Sequence, residues 1–281
     1  MAYIRRVQID NHRGIHQLDI ALARPGDPPA GFRHLILTGT NGSGKSSALE
    51  LIHVALPKLD RAAQSNVACR VELDGTPDRR DEQLITFFTP QRLLQTHSVA
   101  GPLKIDWLQV LRGERVAAAK TTQFLVNRKI ELAFARDDGD AAAVAVIEAW
   151  LAELCGHLAE LLEDPGLALH FDRKNFTVLL RHGDGRLVSF DQLGQGHSAA
   201  LSVYFELAIL RHAHREVLEI PLARLHGIVF IDEIEAHLHP RLQALILPLL
   251  TRVFPSFQFL VTTHSPAVVA SLPEAVVHDL G

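Results

Sequence analysis

Cysteine is almost absent from this chain. Cys69 and Cys155 are the only two among 281 residues. They lie far apart with no C-x-x-C, which argues against a disulfide framework or a thiolate zinc site and fits an ordinary reduced pair. Positive charge is not in excess either: the formal net charge is −4. That argues against a surface coating nucleic acid throughout, while leaving room for a local basic patch. No basic segment leads into an apolar signal, and no apolar run approaches the ~18–20 residues a membrane span needs. The expected location is cytoplasmic, with no membrane partner. Internal repeats and low-complexity tracts are missing, as is a second carboxylate cluster of the kind a nuclease would need. What remains is 47% hydrophobic and 21% charged, the balance of a soluble globular protein with a real core.

The strongest positive signal is Gly39-Thr40-Asn41-Gly42-Ser43-Gly44-Lys45-Ser46, which fits the phosphate-loop pattern G-x-x-x-x-G-K-[ST] at every fixed position. An apolar strand, Leu35-Ile36-Leu37, is expected before it and a helix, Ala48–Ile52, after it. The glycines let backbone N–H groups turn inward around a triphosphate, and the helix N-terminus adds positive potential. Lys45 would reach the β- and γ-phosphates, and the Ser46 hydroxyl would hold Mg²⁺. The motif implies nucleotide binding.

In chain order, strands are expected at Tyr3–Ile9 and Ile15–Leu22, with a loop over Arg24–Pro29 by composition. Further strands are expected at Val67–Leu73 and Leu84–Phe88. From about 104 to 164 apolar residues recur at helical spacing, for example Ile147, Leu151, Leu154, Leu158 and Leu161. Two or more helices are expected there, broken at Asp137-Asp138-Gly139-Asp140. A strand pair, Leu167–Phe171 and Phe176–Arg181, leads to a helix from about His197 to His214. Strands at Gly227–Ile231, Phe257–Thr262 and Ala275–Leu280 alternate with helices at Arg241–Val253 and Pro266–Ser271. Strands alternate with helices at the two ends, around a helical block.

Two of these strands end in polar groups. Ile228-Val229-Phe230-Ile231 delivers Asp232 and Glu233 at its C-terminal end. Asp232 is then expected beside the Mg²⁺, and Glu233 is placed to polarise an attacking water as general base. Phe259–Val261 ends in Thr262-Thr263-His264-Ser265, from which His264 could hydrogen-bond the γ-phosphate. Asp191–Ser198 is a glycine-containing loop opening a helix, a plain helix start in isolation and a chemically reasonable second anion site.

These pieces, in this order, resemble the ATP-binding-cassette (ABC) ATPases, and among them the RecF/SMC-like and OLD-like branch. Ile4–Ile15 looks like that branch's first strand and turn, where an arginine matching Arg13 lies near the nucleotide; His12 stands where the family usually has an aromatic. Phe88-Thr89-Pro90-Gln91-Arg92 resembles the Q-loop, which implies that Gln91 contacts Mg²⁺ and water. Leu193-Gly194-Gln195-Gly196-His197 resembles the signature loop. Asp232 and Glu233 match Walker B, Glu235–Pro240 the D-loop region, and His264 the switch histidine.

The resemblance implies an α/β fold: a P-loop NTPase of ABC type, with a mixed sheet core (1–103 and 167–281) and an inserted helical lobe (104–166). It implies ATP and Mg²⁺ as cofactors, with Asn41, Ser43 and Ser47 among the residues lining the nucleotide. It also implies a head-to-tail homodimer in which Gly196 of one chain closes over the γ-phosphate held by the other. Gly194 departs from the family, standing where a serine hydroxyl normally meets the opposing phosphate. That contact is then weaker, or is made by Gln195 or backbone N–H groups. About 100 residues separate Q-loop and signature loop, too few for long coiled-coil arms. The chain ends soon after His264, so the Toprim nuclease domain of OLD proteins is not expected.

The runs Phe254-Pro255-Ser256-Phe257-Gln258-Phe259 and Glu235-Ala236-His237-Leu238-His239-Pro240 look most like stand-alone ATPases of bacterial anti-phage and retron-linked systems. The implied activity is ATP hydrolysis that drives or gates a partner, in defence or DNA maintenance, the partner being an effector such as a nuclease or toxin. The alternative is a nucleotide-gated scaffold with little turnover. Residues 104–136 carry seven Lys/Arg against Asp106, Glu114 and Glu131. This stretch reads either as a nucleic-acid or acidic-partner face or as solvated helix surface, and the second is preferred.

Overall fold

The computed structural model describes residues 3–12, 15–23, 32–56, 69–74, 83–111, 117–219, 221 and 225–281. The chain divides into two compact units, Met1–Gln91 with Leu218–Gly281, and Arg92–Val217.

The first unit holds two sheets. One is antiparallel, in the order β2-β1-β4, from β1 (Tyr3–His12), β2 (Ile15–Ala21) and β4 (Cys69–Asp74). Burial alternates from Gln17 to Ala21 of β2, the period of a sheet with one covered face. The other sheet has the order β11-β3-β10-β9-β5 and every pairing in it is parallel. Its strands are β3 (Leu35–Thr38), β5 (Gln83–Phe88), β9 (His226–Ile231), β10 (Phe257–Thr262) and β11 (Val276–Asp279). All residues of β9 and β10 are buried, as expected of central strands covered on both faces. Helix α1 (Lys45–Ala55) contributes Ala48, Leu49 and Ile52 to a core shared with Val7, Ile9 and Leu18 of the antiparallel sheet and Leu35, Phe230 and Leu260 of the parallel one. The buried Gln258 amide ties the sheets together: its Oε1 accepts from the Ile4 N–H at 2.8 Å, and its Nε2 donates to the Ile4 carbonyl at 2.9 Å. Helices α6 (Pro240–Val253) and α7 (Pro266–Ser271) complete this unit.

The second unit contains α2 (Trp107–Leu111), α3 (Thr121–Asp137), α4 (Ala141–Leu161), the antiparallel strands β6 (Ala168–Asp172), β7 (Thr177–Arg181) and β8 (Leu187–Ser189), and most of α5 (Gln195–Leu218). Asp140 caps α4 by accepting from the Ala143 N–H at 2.9 Å, which fixes the break expected between the two long helices. This unit, Arg92–Val217, is larger than the expected 104–166 lobe. Its packing also takes in the three-stranded sheet and α5, because Leu180, Phe190 and Phe205 are buried along with Phe124 and Leu158. Strand β8 was not expected. Only Leu187-Val188-Ser189 forms it, too short a run for a visible alternation.

Helix α4 is 21 residues and, among the described residues, is the one helix long and apolar enough by length and composition to cross a membrane. Glu148, Glu153 and Glu160 interrupt it, so no uninterrupted apolar run in it approaches the length of a span. Within the unit Ile147, Leu154, Leu158 and Leu161 of this helix are buried. The basic stretch is partly committed to its own unit. Arg128 pairs with Glu131 at 2.6 Å and lies over the Phe124 and Trp150 rings, and Arg136 pairs with Glu148. Arg112 and Arg115 lie outside the described residues.

Candidate nucleotide site

The site is built where parallel strands end together. Beyond β3, Gly39, Gly42 and Gly44 adopt φ of 138°, 82° and 96°, which side-chain-bearing residues adopt poorly. Gly39 has a second constraint: a Cβ there would lie 2.9 Å from Ser43 Oγ and 3.2 Å from Asp279 Oδ1. The loop therefore folds as the glycine spacing requires and delivers Lys45 at the first position of α1. Lys45 is 5% exposed, and its ammonium donates to the Gly39 and Thr40 carbonyls at 3.0 and 2.8 Å. Burial lowers its pKa; Glu233, Glu235, Asp232 and Asp279 oppose that shift. Ser43 Oγ, in the same loop, is buried with no hydrogen-bond partner among the described residues. Asn41 and Gly42 are exposed, and Ser47 is half-buried.

Backbone hydrogen bonds stitch the strand ends. Asp232 N–H donates to the Phe88 carbonyl (2.9 Å), Ile234 N–H to Thr262 (3.1 Å) and Thr263 N–H to Leu37 (3.0 Å). Asp232, 5% exposed, then meets the phosphate loop: Ser46 Oγ donates to its Oδ1 at 2.9 Å. Thr262 Oγ1 donates to the same Oδ1 at 2.6 Å and accepts the Glu233 N–H at 2.7 Å. Glu233 turns the chain with φ 45°, a left-handed conformation costing about 1–3 kcal/mol that the surrounding bonds hold in place. His264 is exposed, while its backbone N–H donates to Glu235 Oε1.

The structure thus gathers Gly39–Ser47, Asp232, Glu233 and the His264 loop at one edge of one sheet. Gln91 is exposed on the loop after β5, three residues past a strand end in the same sheet. Arg13 lies outside the described residues. Gly196 lies in the second unit, in the first turn of α5, and Gly194 just before it accepts the Ser198 N–H at 3.0 Å. That stretch is held within its unit by Ser198 Oγ, which accepts the Leu94 N–H at 3.0 Å, and by a hydrogen bond from Thr96 to Asp191.

Sequence reasoning gave no role to Thr262, Glu235 or Asp279. Thr262 was visible as the first polar residue ending an apolar strand, but only the β9–β10 pairing, Val261 against Ile231, sets it beside Asp232. Glu235 was readable only as part of a loop. Asp279 comes from β11, which pairs with β3 and so ends near the phosphate loop.

A hard divalent cation fits the donors present. A hydroxyl and a carboxylate oxygen meet at Ser46 and Asp232 within a group of carboxylates around Lys45.

Comparison with known proteins places the chain in a family. Residues 70–270 match the family described as "AAA domain, putative AbiEii toxin, Type IV TA system". "Retron Vc95 probable ATPase" of Vibrio cholerae serotype O1 biovar El Tor is 37% identical over 89 residues, covering 32% of this chain and 17% of that protein. "Septu protein PtuA" of Bacillus mycoides (strain KBAB4) is 22% identical over 312 aligned positions, covering 98% of this chain and 40% of that protein. This chain therefore spans less than half the length of either relative. The crystal structure of an Smc head bound to the C-winged helix domain of ScpA aligns over 96% of this chain and 92% of that one, with a TM-score of 0.47 and 13% identity. The resemblance to retron-linked ATPases drawn from Glu235–Pro240 and Phe254–Phe259 agrees with the first of these relatives. On the family match across residues 70–270, the chain belongs to the AAA domain family of the "putative AbiEii toxin, Type IV TA system" description.

Proposed function

We propose that this chain binds and hydrolyses ATP, and that two copies pair head-to-tail around the nucleotide to drive or gate a partner. One observation carries the reading: the Ser46 hydroxyl and the Asp232 carboxylate meet at 2.9 Å beside a buried Lys45. That contact joins the two halves of a phosphate-and-metal site from opposite ends of the sequence. When bound, Mg²⁺ would be held by Ser46 and Asp232, with Gln91 as a further ligand, and would supply positive charge against the phosphate oxygens.

The protein's own groups do the rest. Backbone N–H groups of the glycine loop cradle the phosphates. Lys45 leaves its carbonyl partners for the β- and γ-phosphates. Glu233 takes a proton from the attacking water, and the γ-phosphoryl passes to that water as the bond to the β-phosphate oxygen breaks. His264, exposed on a fixed backbone, donates to the γ-phosphate. By the family resemblance Arg13 would contact the nucleotide, and Gly196 of the second copy would close over it. Release of phosphate removes the charge that holds the pair, and the change of shape is passed to an effector protein, a nuclease or toxin, in an anti-phage setting. Its location is cytoplasmic. The retron and Septu names of the relatives support that setting.

Gly194 favours a second reading, a scaffold that binds ATP and holds an effector with little turnover, because it removes a hydroxyl from the closing loop. Turnover assays of the wild-type chain with MgATP, alone and with candidate effectors, separate the two readings. Release of phosphate that is lost in Glu233→Gln supports the hydrolase. Tight ATP binding with no turnover in any arm sinks it.

A further inference from the structure

We propose that Glu235 is a positioning residue of the nucleotide site, acting through His264. Its effect on turnover rests on the hydrolase reading above; its hold on His264 does not. The residue comes two positions after the general-base candidate, in a loop braced internally. Ala236 N–H donates to the Glu233 carbonyl, and Leu238 N–H to that of Glu235, both at 2.8 Å. From this loop Glu235 Oε1 reaches across to the end of the neighbouring strand and accepts the backbone N–H of His264.

The surrounding bonds make His264 the point at which this contact matters. Thr263 is fixed by its N–H to Leu37, 3.0 Å away. Ser265 is fixed through its N–H to Thr263 Oγ1 (3.0 Å) and its Oγ to Gln243 Oε1 (2.7 Å), and it caps α7. The amide between them is held by Glu235, so these three successive N–H groups are tied to three different places. The histidine's backbone is thereby fixed while its imidazole remains exposed to work on a ligand.

Nor is Glu235 spread over a wider network. Its other oxygen, Oε2, is buried with no hydrogen-bond partner among the described residues. The histidine loop is thus the one hydrogen-bonding task this side chain has there. The same carboxylate acts electrostatically on Lys45 of the phosphate loop. A carboxylate accepting a backbone N–H makes a stronger bond than a neutral acceptor would, suited to holding a loop against the pull of a bound phosphate. A group that only braced the fold would need no such placement between the general base and the histidine.

The test combines a double-mutant cycle with a contact readout. Glu235→Ala should lower kcat roughly tenfold or more, with MgATP affinity by calorimetry within about threefold of wild type, as for lost positioning rather than lost binding. Combined with His264→Ala, it should cost little beyond His264→Ala alone, because both changes remove one function. Glu235→Gln, which keeps an acceptor for the N–H, should recover most of the rate. Independently of turnover, the protein labelled with ¹⁵N-histidine should show a downfield His264 amide, assigned by its loss in His264→Ala, that moves upfield in Glu235→Ala. An unmoved amide, or losses from Glu235 and His264 that simply multiply, overturns the proposal. A moved amide in a protein whose wild type never turns over counts against the hydrolase reading and leaves the hold on His264 intact.

Discussion

Ser46 Oγ and Asp232 Oδ1 stand 2.9 Å apart although 186 positions separate them in sequence. The hydroxyl sits on the second residue of α1, where the phosphate loop ends, and the carboxylate follows directly after the fully buried strand β9. Their meeting at one oxygen, which Thr262 also bonds, defines where a nucleotide's phosphates and its cation would be received.

Lys45→Ala is expected to abolish MgATP binding. The ammonium is the loop's one fixed point charge for the phosphates, and only its two carbonyl bonds need to be exchanged on binding. Calorimetry reads the affinity, and circular dichroism checks the fold. A folded variant that binds MgATP as tightly as wild type contradicts the phosphate-loop assignment.

Glu233→Gln preserves shape and leaves Asp232 with its Ser46 and Thr262 bonds. Binding should survive while hydrolysis falls by roughly 10²–10⁴-fold, the usual contribution of a general base. The variant should collect as an ATP-held dimer, visible by size-exclusion chromatography with light scattering. Hydrolysis at the wild-type rate removes Glu233 from the chemistry. ATP binding without pairing removes the dimer instead, with Gly194 the first residue to examine.

Thr262→Val tests the oxygen that joins Asp232 to Glu233. The position is fully buried, and valine matches threonine in shape but supplies no hydroxyl. It leaves the Glu233 N–H without the Thr262 partner seen here, at a cost of about 1–3 kcal/mol. Chemical denaturation should register that loss, and turnover should fall because the backbone carrying Glu233 is no longer held. Unchanged stability and turnover would mean that the strand ends are fixed without this side chain.

His34 gives the fold a pH dependence. Burial pushes its pKa down to about 4, and its Nδ1 accepts the Phe259 N–H at 3.1 Å, a role only the neutral ring can fill. The unfolded chain takes up a proton near pH 6.5 and the folded one only near 4. Stability is therefore undiminished above about 6.5 and falls as pH drops from 6.5 toward 4. Between pH 7 and pH 5 the loss should be on the order of 1–2 kcal/mol. His34→Asn, which keeps an acceptor and does not titrate, should show a smaller loss in urea unfolding over that interval. Equal losses in both proteins would assign the acid sensitivity elsewhere.

The sequence alone determined the chemistry that depends on neighbours in the chain. Glycine spacing in Gly39–Ser46 dictates a loop with positive φ, and the structure has it at Gly39, Gly42 and Gly44. Continuous apolar runs ending in polar residues announced β9 and β10, whose residues are all buried. The break between α3 and α4 followed from Asp137–Asp140, with Asp140 as the cap.

Tertiary structure alone decided what depends on which strands pair. The order β11-β3-β10-β9-β5 joins segments far apart in sequence, and no local periodicity specifies it. That order sets Thr262 against Asp232, brings Asp279 toward the phosphate loop and lets Glu235 reach the amide of His264. The extent of the second unit was equally hidden, since composition marks helices while packing assigns β6–β8 and α5 to the same body. Residue types and spacing sufficed to propose the groups that act on a phosphate; the pairing of buried strands determined which further side chains hold those groups in place.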